Sequence, residues 1–98
     1  MARVKNVQGK HYEIPYGFDS WLDYWETYKG EEAGKCSKYF CQKDAVEGGH
    51  VVRVPDDGSI YLVPICYTHN HYTFTSEYYV PDSALLKVPE EDLVEVDD

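Results

Sequence analysis

Long apolar runs are missing from this chain. Nowhere do about twenty hydrophobic residues follow one another, which excludes a helical membrane span, and no basic amphipathic stretch is present to lie on an anionic bilayer. Basic residues are scarce: nine Lys and Arg stand against eighteen Asp and Glu, for a formal net charge of −9. A surface of that sign repels nucleic-acid phosphates at long range, so direct nucleic-acid binding is not expected and a basic protein partner is favoured. No secretion signal is recognisable at the N-terminus, and the chain is expected to be soluble and cytoplasmic, in a reducing compartment where thiols stay free. Cysteine occurs only three times, and an odd number cannot pair off into a disulfide framework.

What is present centres on those cysteines. Cys36-Ser-Lys-Tyr-Phe-Cys41 and Cys66-Tyr-Thr-His69 together supply three thiols and an imidazole. Four soft N and S donors in two close pairs are what a tetrahedral zinc ion requires, and a spacer between the pairs lets one ion tie a knuckle to a second element. The i, i+3 spacing of Cys66 and His69 puts both donors on one face of a helix's first turn. Cys36, Cys41, Cys66 and His69 are therefore the candidate ligands of a structural Zn2+. The competing readings are a disulfide plus one free thiol, or three unrelated buried thiols. The four-residue spacer in the first pair is longer than the commonest two, but lies within structural-zinc spacings. Lys35, Lys38 and Lys43 flank the first pair, where cations favour thiolate.

Ninety-eight residues make one α+β domain with a limited core, which a metal clamp would supplement. Residues 1–17 read as an N-terminal arm: Val4 and Val7 share no single period, Pro15 and Gly17 punctuate it, and Arg3, Lys5 and Lys10 decorate it. Residues 18–30 form the clearest helix, with Asp19 or Ser20 as cap, Asp23 in capping-box register and Gly30 as stop. Its Trp21, Tyr24, Trp25 and Tyr28 fall at i, i+3, i+4 and i+7, an aromatic stripe expected to pack on the zinc module. Val51–Val54 and Ile60–Val63 flank the turn signal Pro55-Asp-Asp-Gly58 and predict a hairpin. A short helix is expected from Cys66, and a short strand or turn over Ser83–Val88. Residues 89–98 carry six acids and no base, an acidic tail that Leu93, Val94 and Val96 can anchor.

The knuckle, then Gly48-Gly-His50-Val, then Tyr61-Leu-Val-Pro-Ile-Cys66 and a helical turn ending at Asn70, resembles the HNH family of treble-clef zinc domains. The resemblance spans residues 36–71, the zinc module. It implies a treble clef (knuckle, β-hairpin, short helix) preceded by the aromatic amphipathic helix, with Cys36, Cys41, Cys66 and His69 as zinc ligands. It places His50 at the general-base position of the nucleases and Asn70 at that of the last metal ligand. Gly49 stands where many members carry a metal ligand, and Tyr61 where the family's middle asparagine orients the base. The constellation is degenerate at the nuclease positions. His50 is then expected as a hairpin residue hydrogen-bonded near the zinc site.

Three functions follow as expectations, the last of them a purely structural subunit of a larger assembly. The first is a non-catalytic, zinc-stabilised interaction protein whose acidic, tyrosine-rich surface binds a basic, nucleic-acid-handling protein. Small acidic domains of this kind resemble phage or mobile-element inhibitors of host defence. The second is a metal-dependent HNH-type endonuclease using His50 and Asn70.

Overall fold

The computed structural model describes residues 1–96; Asp97 and Asp98, the end of the acidic tail, lie outside the described residues. Five antiparallel strands form one sheet in the order β4-β1-β2-β3-β5. They are β1 (Ala2–Asn6), β2 (Glu47–Arg53), β3 (Tyr61–Ile65), β4 (Tyr78–Val80) and β5 (Leu86–Lys87), with helices α1 (Trp21–Lys29) and α2 (Tyr67–Asn70). No helix among the described residues is long and apolar enough to cross a membrane.

The expected N-terminal arm begins as an interior strand. Ala2, Val4 and Asn6 alternate buried with exposed Arg3 and Lys5, and β1 pairs with β2 on one side and β4 on the other. Its period of two was hidden by Asn6, a polar residue in a core position, and by ending before Val7. The hairpin runs longer than its apolar residues indicate. Glycines 48 and 49 lie within β2, opposite Pro64 and Val63 of β3.

Helix α1 follows its sequence signals. The Ser20 hydroxyl accepts from the Asp23 N–H at 3.0 Å, and Gly30, at φ 69°, turns its N–H back to the Glu26 carbonyl. Trp21, Tyr24 and Trp25 are buried against Leu62 and Val88, while Tyr28 remains 60% exposed. This cluster occupies the sheet face opposite the cysteines, because consecutive strand residues point to opposite sides. Leu62 faces the helix; Val63 and Ile65 face Cys36 and Cys66, along with Val4, Val51, Tyr78 and Val80. The aromatic stripe thus packs on the far face of the sheet and not, as expected, on the cysteine module itself.

Gly48 sets how closely helix and sheet approach. A Cβ there would stand 2.7 Å from the Trp21 carbonyl carbon and 2.8 Å from the Leu22 nitrogen. The acidic tail is tied down, with Leu93 packed beside the aromatic cluster and Val94 and Val96 left exposed. The Glu13 N–H donates to the Val94 carbonyl, and the Val96 N–H to that of His11, both at 2.8 Å.

Candidate metal centre

Each pair of donors is positioned by a different device. In the first, the Cys36 N–H donates to the Lys43 carbonyl at 2.8 Å and the Cys41 N–H to that of Lys38 at 3.1 Å. Phe40 takes a left-handed φ of 70°, which bends the four-residue spacer back on itself. The Ser37 N–H reaches the Pro64 carbonyl at 2.9 Å and Val46 that of Ile65 at 3.1 Å, docking the knuckle on the end of β3. In the second pair, Cys66 follows β3 with extended backbone and caps the start of α2, so that His69 returns one turn later above its thiol.

The four ligand atoms of Cys36, Cys41, Cys66 and His69 all lie within 4.8 Å of one another, and the group can hold a metal ion. Sγ of Cys41 and Cys66 are 3.9 Å apart, and Nδ1 of His69 is 3.1 Å from Cys66 Sγ and 3.9 Å from Cys36 Sγ. Bonds of about 2.3 Å to sulfur in a tetrahedron imply donor separations of about 3.8 Å, so the set has nearly the required shape. Cys36 and Cys66 are buried. Burial pushes the Cys36 thiol up to about 11. Burial also opposes ionisation of Cys41, but hydrogen bonds from the Lys43 backbone and the two neighbouring thiols, with the Lys43 charge, hold its pKa below the ordinary value. Of the three flanking lysines, Lys35 is engaged by Asp44 at 2.7 Å and Lys43 donates to Thr68 Oγ1 at 3.0 Å.

A buried network absent from the sequence reading supports this centre. Tyr78 donates its hydroxyl to Asn6 Oδ1 at 2.5 Å, and Asn6 Nδ2 donates to the His69 carbonyl at 2.7 Å. The His69 ring also packs edge-on against Phe74, 4.9 Å between centroids. Nothing local in Asn6 announces the role, since its partners lie 63 and 72 residues away.

Compared with known proteins, the chain matches no family model, no curated protein and no solved structure.

His50 lies elsewhere. Its ring sits on the helix face of β2, edge-on to Trp21 at 4.5 Å and tilted on Tyr12 at 4.8 Å. The expected hydrogen bond near the metal centre is not made: Nε2 is buried with no partner among the described residues. Burial lowers its pKa to about 4, so the ring is neutral at pH 7. Asn70 ends α2 on the other face, where a Cβ on Gly49 would meet its Oδ1 at 2.8 Å. Both residues border one cleft of about 680 Å³ that wraps the end of the sheet. Tyr61 lies opposite Val51, not opposite His50, and donates its hydroxyl to Asp57 at 2.6 Å. His71 stays out of the cluster, its Nδ1 2.9 Å from Thr73 Oγ1.

Proposed function

We infer that this is a non-catalytic, zinc-stabilised interaction protein that offers an acidic face to a basic, nucleic-acid-handling protein. One observation carries the reading. Residues 10–32 and 89–96 hold ten carboxylates against two bases, Lys10 and Lys29, while the other described residues hold six against seven. The two segments are joined by the backbone bonds of Glu13 and Val96 and by the Tyr24 hydroxyl, which donates to Asp92 at 2.7 Å. Glu13, Asp19, Glu31, Glu32, Glu90 and Glu91 of this body are exposed, as are Tyr16 and Tyr28. An ordered array of carboxylates competes for grooves that otherwise attract phosphates. A phage or mobile-element inhibitor of host defence fits this charge and size, acting in the reducing cytoplasm.

Three sulfurs and one nitrogen within 4.8 Å of one another support zinc over harder ions, which prefer oxygen. The order of knuckle, β2–β3 hairpin and α2 around the cluster supports a treble clef of the HNH-like kind. The sealed Nε2 of His50 supports a non-catalytic role, because a general base must reach the proton it abstracts.

The test is affinity capture on immobilised zinc-loaded protein. A nucleic-acid-binding protein should be retained, released by added duplex DNA, and lost when Glu13, Asp19 and Glu91 are replaced together by lysine. Retention indifferent to that triple substitution overturns the reading. In parallel, plasmid DNA with magnesium, manganese or nickel should stay intact; cleavage that disappears in His50→Ala would establish the nuclease instead.

A further inference from the structure

The end of the sheet holds a recess that the metal centre does not use. β1 and β2 stay together as far as the bond from the Val7 N–H to the His50 carbonyl at 2.9 Å; beyond it residues 8–12 turn away to meet the tail, where Tyr12 bridges to Glu95. The start of β2 is thereby left uncovered on that side. Gly49, lacking a Cβ, lets Asn70 close in from α2. The result is the cleft of about 680 Å³, a size ordinary for a binding site.

Its chemistry is that of a cation receptor. Glu47 lines the cleft, half-buried, and its carboxylate makes no hydrogen bond or ion pair among the described residues. Asn70 adds an amide oxygen. Tyr67 and Tyr72, 64% and 78% exposed, line the same cleft, their rings packed on His71 at 5.5 and 4.5 Å, with Tyr12 and Trp21 bordering it from the helix face. Lys10, His11 and His71 line the cleft as well; the Lys10 ammonium is taken up by Glu95 at 3.2 Å rather than by Glu47. His50 is neutral and adds no positive charge.

The geometry points to this cleft as the seat of an arginine side chain from a partner protein, held by Glu47 and Asn70 and flanked by tyrosine rings. The inference rests on the reading of a basic partner and says how one of its residues is gripped. A guanidinium is favoured over an ammonium because its planar fork serves two acceptors at once and stacks on aromatic faces. Residues 10–16 border both the cleft and the acidic face, since Glu13–Tyr16 also line a second recess with Glu91 and Asp92. A basic surface lying across the carboxylates would therefore pass the mouth of the cleft.

The experiment is a titration of ¹⁵N-labelled, zinc-loaded protein with N-acetyl-arginine amide, using N-acetyl-citrulline amide as the uncharged probe of similar shape. The arginine probe should shift the amides of Gly48, Asn70 and residues 8–12, and the citrulline probe should not. Glu47→Gln should weaken the arginine probe by about tenfold, in line with the loss of a charge-assisted bond. Tyr72→Ala should weaken it about threefold through the lost ring. Shifts scattered over the exposed carboxylates, or equal in wild type and Glu47→Gln, overturn the inference. A captured partner that binds Glu47→Gln as well as wild type also overturns it and leaves the acidic-face reading standing. Localised arginine binding with no basic partner captured does the reverse.

Discussion

The two faces of the sheet are held by different physics. On the face of Cys36 and Cys66 the buried residues are mostly small or β-branched, and four of the side chains there have donor atoms that can share one ion. On the other face Trp21, Tyr24 and Trp25 cover Leu62 and Val88, with each indole N–H donating to a carbonyl: Trp21 to Tyr12 at 3.2 Å and Trp25 to Ala84 at 2.8 Å. With the proposed ion in place, the first face can lose its cohesion through a reagent that never touches a carbon atom. The second can lose it only by losing packed surface. In so small a domain neither layer is thick, and the strands β2 and β3 belong to both.

Removing the metal should have the largest effect. Chelation is expected to lower stability on the order of 5 kcal/mol or more, since binding energy at a structural thiolate site is largely folding energy. His69→Ala should approach that loss while His71→Ala costs little, as read by thermal unfolding with and without chelator. Equal effects would mean that the ligand set is wrong.

Trp25→Ala strikes the opposite face. A loss of about 3–5 kcal/mol is expected from the deleted surface and the cavity left behind. Elemental analysis of whatever remains folded should still find one metal per chain. Metal lost in proportion would show the two faces to be one cooperative unit.

Acid should separate them further. His50 has a folded pKa of about 4, below the ordinary 6.5, so the folded state resists a proton that the unfolded chain accepts. Stability is thus full above about pH 6.5 and falls as pH drops towards 4, by about 3 kcal/mol for this group. His50→Asn should remove that share of the acid sensitivity, measured by denaturant unfolding between pH 7 and 5. The share belonging to protonation of the metal ligands should persist.

The smallest contrast lies in the two adjacent glycines. Gly48→Ala drives a methyl against the Trp21 and Leu22 backbone at 2.7–2.8 Å, where only the whole helix can move, and should cost about 1–3 kcal/mol. Gly49→Ala meets the Asn70 amide at 2.8 Å, which can swing aside, and the buried Ile65 Cγ2 at 2.9 Å, which cannot, and should cost less because one of its contacts is free to relax. Chemical denaturation of the pair orders them; the reverse order would mean that α2, not α1, is the more tightly fixed helix.

Elements whose signal is local were legible in the residues. The cap at Ser20, the stop at Gly30, the hairpin around Gly58 and the donor spacing of Cys36, Cys41, Cys66 and His69 depend on neighbours a few positions away, and each is where its residues place it. The strand at Ala2–Asn6 was not legible, because five residues with Asn6 inside and two bases outside look like a decorated arm until β2 and β4 flank them. The isolation of His50 was equally hidden. Its neighbours Trp21 and Tyr12 come from about thirty and forty positions earlier, and the Trp21 ring covers it only because Gly48 admits the helix.

The sequence by itself determined the donor chemistry, the charge and the hydrophobic period of α1, since these are properties of residue type and short spacing. Tertiary structure alone decided which face of the sheet each aromatic ring covers, that the acidic tail lies against the acidic helix, and that Glu47 lines a cleft without an ion-pair partner among the described residues. The physical reason is that a strand's alternation fixes which residues share a side, but the partner that fills each side is set by long-range pairing and by whether two backbones can approach without a Cβ between them.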